Sequence, residues 1–109
     1  MGEWDQEKKD VLVCAQWMSE HGYFGGYRGS GGNISVRIKN RPILAVTPSG
    51  RSYGDMTADD ICVVDFDLKP LEGQFVPSKE AAMHVGIYQH RTDVNAIVHT
   101  HQTYASILA

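Results

Sequence analysis

Val94-Asn95-Ala96-Ile97-Val98-His99-Thr100-His101 is the stretch on which the reading of this chain turns. The apolar run Val94 to Val98 has the length of a strand, and two histidines follow it at a spacing of two. Alternate side chains of an extended chain point the same way, so residues 99 and 101 are expected side by side, roughly 7 Å apart along the strand. Two imidazoles so placed can converge on one ion. A divalent transition metal with nitrogen ligands at about 2 Å suits the pair, and zinc is the commonest choice. The bland alternative is an ordinary pair of surface or core-edge histidines.

Upstream, Pro77-Ser78-Lys79-Glu80 precedes Ala81 to His90, where Ala81, Val85 and Tyr88 recur at helical spacing. Serine is a good N-cap and proline restricts the approach, so the pattern predicts a helix with Ser78 as its cap and Glu80 in its first turn. A carboxylate there is stabilised by the helix dipole whether or not it does chemistry; the functional reading makes it a metal ligand or proton carrier. Further upstream, Gly29-Ser30-Gly31-Gly32-Asn33 leads into Ile34, Val36 and Ile38, which alternate with Ser35 and Arg37 as in a half-buried strand. Such a glycine-rich turn can bring amide N–H groups close to a phosphate, or can simply be a flexible turn. No Gly-Lys-Ser/Thr follows and the next element reads as a strand, which argues against nucleotide binding. Thr47-Pro48-Ser49-Gly50 closes the apolar run Ile43 to Val46 with a second turn bearing hydroxyls and a glycine.

The 109 residues, 42% of them hydrophobic, suit a single soluble domain with a modest core. A net charge of −3 without Lys/Arg clusters argues against a nucleic-acid partner. No apolar run approaches a membrane span or a signal-peptide core, so a cytoplasmic protein without a membrane partner is expected. Cys14 and Cys62 lie on apolar segments and read as reduced core residues; a Cys/Cys/His zinc site lacks ligand spacing. Val11, Cys14, Ala15 and Met18 predict a first helix that stops at His21-Gly22, with charges on its opposite face. Strands are predicted at Asn33 to Ile38, Ile43 to Val46 and Ile61 to Phe66, and Lys69 to Gly73 reads as a loop before the second helix and the histidine strand. The order helix, strands, helix, strand predicts an α/β layered domain, and its short connections predict a mostly antiparallel sheet. Gln102 to Ala109 is apolar and helix-prone with no stop signal, so the chain is expected to end inside an element, as a truncated protein would.

Taken in order, these motifs resemble the class II aldolase/adducin family. The stretches that carry the resemblance are Gly29 to Arg37, Thr47-Pro48-Ser49-Gly50, Pro77-Ser78-Lys79-Glu80 with His84 and Tyr88, and Val98-His99-Thr100-His101. The match runs from about Gly22 to the last residue and makes residues 1–109 the N-terminal part of a single α/β/α domain of this family. It implies a zinc site with His99 and His101 as ligands and Glu80 as acid/base or transient ligand, beside a phosphate cradle of Gly32, Asn33, Ser49, Gly50, Ser78 and Lys79. It also implies a small phosphorylated sugar as substrate and a homo-oligomer, a tetramer in the family. Because the 4-epimerase branch favours aspartate at the helix start, Glu80 tilts the expectation toward aldol cleavage of a ketose phosphate such as L-fuculose 1-phosphate.

Two features depart from the pattern. Lys79 stands where the aldolases carry a second serine; it could pair with a phosphate or carboxylate, as in branches thought to decarboxylate 3-oxo sugar acid phosphates. The family's third histidine ligand and a tyrosine acid come from a C-terminal half that this sequence lacks, so the chain alone is expected to be a weak catalyst. The remaining histidines do not substitute: His21 ends the first helix, and His84 and His90 lie on the second, where His84 at i+4 could support Glu80. An adducin-like binding domain without zinc chemistry is the reading that His99, His101 and Glu80 argue against.

Overall fold

The structure, a computed structural model, describes residues 3–21, 32–50 and 53–100. In chain order the elements are α1 (Asp5–Glu20), β1 (Gly32–Arg37), β2 (Ile43–Val46), single 3-10 turns at Tyr53–Asp55 and Ala58–Asp60, β3 (Cys62–Asp65), β4 (Pro70–Glu72), α2 (Ala81–His90) and β5 (Ala96–Thr100). The strands form one sheet in the order β4-β3-β2-β1-β5, and every neighbouring pair is antiparallel. None of the helices among the described residues is long and apolar enough to cross a membrane.

The central strands read as continuous apolar runs because both of their faces are covered. Ile43, Ala45 and Val63, with Ile34 and Ile38, pack against Val11 and Ala15 of α1. Their sequence neighbours Leu44, Val46, Cys62 and Val64 pack on the opposite face against Ala81, Val85 and Tyr88 of α2. Alternation along two short strands thus divides the apolar residues between two helices, which gives the expected three-layer α/β/α arrangement. Cys14 and Cys62 are free thiols, Cys62 fully buried with its Sγ 3.3 Å from the Phe75 carbonyl; burial pushes that thiol up to about 11.

The expected loop at Lys69 to Gly73 is corrected by β4, which pairs with β3 across a register shift at Val63/Val64. Its three residues carry no alternating pattern that could announce a strand. Lys8, a buried lysine on the sheet side of α1, forms a charge-assisted hydrogen bond with Glu72 and has Asp5 and Asp59 at 3.7 and 3.9 Å. A second difference concerns Gly32, which already lies within β1 opposite Thr100 of β5, rather than in the preceding turn. Gly29 to Gly31, His101 and Gln102 to Ala109 lie outside the described residues.

One cation sets how α2 lies on the sheet. The Arg37 guanidinium, at the end of β1, donates to the carbonyls of Tyr88 at 3.0 Å, Thr92 at 2.7 Å and Val94 at 2.5 Å. These carbonyls lie at the C-terminal end of α2 and just beyond it, where the helix dipole favours positive charge. The same guanidinium lies 5.1 Å from the centre of the Tyr88 ring.

If the two-sided packing carries the fold, Leu44→Ala, at a fully buried position, should cost about 2–5 kcal/mol in urea unfolding. Val98→Ala, at a site 48% exposed, should stay within about 0.5 kcal/mol. Equal small effects at both positions would contradict the packing.

Candidate functional site

Asn33, Ser35 and Arg37 alternate along the face of β1 that lies under α2, and Glu80, His84 and Tyr88 stand four residues apart at the start of α2 and along it. Two strand residues advance about 6.6 Å and four helix residues about 6 Å, so the two series stay in step. The contacts follow that match. Asn33 Nδ2 donates to Glu80 Oε1 at 3.0 Å, and His84 Nε2 bonds Asn33 Oδ1. Ser35 Oγ lies 2.6 Å from His84 Nδ1 and 2.7 Å from Tyr88 Oη. Asn33, Ser35, His84 and Tyr88 are all buried, so each polar atom depends on its neighbour in this column.

The helix start departs from the prediction by two residues. Glu80, not Ser78, occupies the N-cap position, and α2 proper begins at Ala81. Ser78 instead makes a tight turn ahead of the helix: its Oγ accepts from the Glu80 N–H at 3.2 Å, and its carbonyl accepts from the Ala81 N–H at 3.0 Å. A serine hydroxyl competes for nearby backbone donors before the helix is under way, which displaces the cap downstream.

β5 brings the histidine in. Asn33 pairs with His99 in register, so both side chains occupy the α2 face. His99 Nδ1 lies 2.8 Å from Glu80 Oε2. A carboxylate only accepts, so Nδ1 carries the hydrogen in this pair, and the 3.5 Å approach of Asn33 Nδ2 to Nδ1 is proximity between two donors. The predicted convergence of His99 and Glu80 is therefore met, while His101 lies outside the described residues. Among the described residues no group of three or more His, Cys, Asp or Glu side chains gathers as a metal site. An imidazole nitrogen and a carboxylate oxygen 2.8 Å apart are ligand types that zinc takes, and the ion would replace the hydrogen that now joins them.

Next to this pair lies a cavity of about 250 Å³ lined by the predicted Gly32, Asn33, Ser49, Gly50, Ser78, Lys79 and Glu80, together with Pro48 and Tyr53. All the predicted cradle residues are thus brought to one pocket. Two backbone bonds hold its walls together: the Ser49 N–H donates to the Val76 carbonyl at 2.8 Å, and the Ser78 N–H to the Thr47 carbonyl at 3.0 Å. Those two amides are consequently engaged within the fold, while Gly50, Ser49, Ser78 and Lys79 line the pocket. Gly50 sits at φ +66 with nothing near a would-be Cβ, so the turn needs glycine for backbone conformation rather than for space.

Some residues of the site escaped the sequence reading. Tyr53, buried, donates from its hydroxyl to the Gly32 carbonyl at 2.6 Å and holds the start of β1 against the pocket; nothing in its neighbourhood signals this. Thr47 Oγ1 accepts from the Ile34 N–H at 3.3 Å. Ser35 did carry a signal, because it shares the strand parity of Asn33. Tyr88 belongs both to the helical stripe of Ala81 and Val85 and to the stretch that carries the family resemblance, and its i+4 relation to His84 puts hydroxyl and imidazole on one face. A larger cavity, about 330 Å³ and lined by Arg37, Arg41, Phe66 and Asn95 among others, contains none of the predicted residues.

A sequence model of the class II aldolase and adducin N-terminal domain matches residues 9–109. The chain is 34% identical over 104 residues to a 5-deoxy-D-ribulose 1-phosphate aldolase of Bacillus thuringiensis serovar kurstaki, covering 95% of this chain and 47% of that protein. It is 40% identical over 78 residues to an L-ribulose-5-phosphate 4-epimerase of Salmonella typhi, covering 72% of this chain and 34% of that protein. The solved structure of an L-fuculose 1-phosphate aldolase superposes with a TM-score of 0.83 at 35% identity, over 94% of this chain and 47% of that one. The chain spans about half the length of the aldolases it matches.

Burial lowers His84 from 6.5 to about 4, with His99 adding to the effect and Glu80 opposing it. The unfolded chain takes up this proton near the ordinary value and the folded chain only near the lowered one, so stability should fall as pH drops through that window. Urea midpoints at pH 7 and pH 5 should therefore differ more for the native chain than for His84→Gln. An equal difference in both would show that His84 does not titrate in this way.

Proposed function

The chain belongs to the class II aldolase and adducin family, and we propose that it carries the phosphate-holding and proton-handling part of a zinc-dependent aldolase acting on a small ketose phosphate. The observation that supports this most is the meeting of Glu80, Asn33 and His99 at the rim of a pocket bounded by the Ser49-Gly50 and Ser78-Lys79 turns.

In this reading the substrate phosphate lies in that pocket, held by the hydroxyls of Ser49 and Ser78, the backbone at Gly50 and the Lys79 ammonium, with Gly32 and Asn33 lining its inner wall. Fixing the phosphate orients the rest of the sugar, and holding reactants in one geometry lowers the barrier without further chemistry. Glu80 is the group that moves the proton on the carbon next to the carbonyl; its carboxylate is oriented on one oxygen by Asn33 and faces His99 with the other. His99, Glu80 and His101 would hold zinc. When bound, the metal supplies Lewis-acid polarisation of the carbonyl and a sink for the electron pair released by carbon–carbon cleavage. Asn33 and the Tyr53-anchored start of β1 keep the carboxylate and the phosphate end of the substrate at a fixed separation.

The test assays the chain, and any longer gene product that contains it, with zinc on L-fuculose 1-phosphate, 5-deoxy-D-ribulose 1-phosphate and L-ribulose 5-phosphate. Release of dihydroxyacetone phosphate that falls by about 10²–10⁴ in Glu80→Gln supports the proposal. Inversion of a hydroxyl without such release would move the chain to the epimerase branch. Turnover of none of the three ketose phosphates would overturn the reading, and decarboxylation of a 3-oxo sugar acid phosphate instead would assign Lys79 to a substrate carboxylate.

A further inference from the structure

We propose that His84 is a positioning residue: held by Ser35 and Tyr88 as the tautomer with its hydrogen on Nε2, it fixes the Asn33 carboxamide so that its NH₂ group holds Glu80. The inference rests on the reading of Glu80 as the proton carrier and adds to it the device that orients that carboxylate.

The direction of each hydrogen bond in the column follows from its neighbour. A carboxylate oxygen accepts, so the Asn33 atom 3.0 Å from Glu80 Oε1 is the amide nitrogen. Its carbonyl oxygen therefore points the other way, toward His84, and accepts the hydrogen that Nε2 carries. A neutral imidazole with its hydrogen on Nε2 leaves Nδ1 as an acceptor, so the Ser35 hydroxyl, 2.6 Å away, donates to it. Ser35 Oγ then accepts from the Tyr88 hydroxyl at 2.7 Å. The column runs in one direction throughout, from Tyr88 through Ser35, His84 and Asn33 to Glu80. Reversing any member would set two donors or two acceptors against each other in a buried space, where an unmade hydrogen bond is costly. Burial disfavours the imidazolium, which agrees with a neutral ring. His84 and Tyr88 are both fully buried, so His84 touches no substrate and acts through Asn33.

The experiment uses the chain of residues 1–109 with ¹⁵N label, and its imidazole nitrogens are read by long-range ¹H–¹⁵N correlation. The expected spectrum gives His84 a protonated Nε2 and a hydrogen-bonded acceptor Nδ1 between pH 6.5 and 8. A hydrogen on Nδ1, or averaging between tautomers, would overturn the proposal without any variant. In His84→Phe the shifted side-chain NH₂ pair of Asn33 should collapse to free-amide values, and in His84→Gln, which can still accept from Ser35 and donate to Asn33, the pair should return. An unchanged Asn33 pair in a folded His84→Phe chain would also overturn it, with the backbone spectrum reporting the fold. Tyr88→Phe should move the Nδ1 shift and leave the hydrogen on Nε2; loss of that tautomer would contradict the direction assigned. These signals require neither zinc nor substrate, so their failure leaves the aldolase proposal standing, and an inactive enzyme leaves this one standing.

Discussion

Burying polar side chains on one face of a central strand is the constraint from which the site follows. Ile34 and Ile38 of β1 and its turn face α1 and need only to be covered, but Asn33 and Ser35 are buried toward α2 and must be hydrogen-bonded there. Only a helix that offers polar atoms at matching intervals can cover that face. Glu80, His84 and Tyr88 do so because four helix residues and two strand residues advance by nearly the same distance. Arg37 closes the series by gathering the carbonyls at the far end of α2. The rotation and position of α2 are thereby fixed, and with them the approach of Glu80 to His99 on the neighbouring strand.

The same constraint explains what could be read beforehand. The two helices, β1, β2, β3 and β5 were legible because each carries periodic apolar residues that the sheet or the core uses. β4 was not, since three exposed or half-exposed residues carry no period, and its place depends on the edge of β3 and on Lys8 reaching Glu72. For the pocket, each cradle residue was recognisable from turn chemistry and from likeness to the family, but the backbone bonds that engage the Ser49 and Ser78 amides depend on two loops meeting across the chain. Tyr53 illustrates the limit best: its hydroxyl reaches a carbonyl distant in sequence, and no local pattern encodes that.

Polar groups that are fully satisfied inside a core are rigid, and the proton-carrying role proposed for Glu80 calls for such rigidity. Here the order extends outward from a buried tyrosine to a half-exposed glutamate at the pocket rim, so that fold and site share one set of hydrogen bonds. The proposed phosphate end is organised separately, through the Thr47–Gly50 turn locked to the Val76–Ser78 segment. A ligand bridging both would thus meet two preset anchors, consistent with the sugar-phosphate chemistry of the relatives the chain resembles.

In the proposed site Glu80 and His99 share a metal ion beside the pocket. Crystals of the chain grown with zinc, measured on both sides of the zinc absorption edge, test it directly. An anomalous peak is expected within about 2.0–2.2 Å of a Glu80 carboxylate oxygen and a His99 ring nitrogen. Zinc bound at other residues, with the Glu80–His99 hydrogen bond intact and no peak between them, would contradict it.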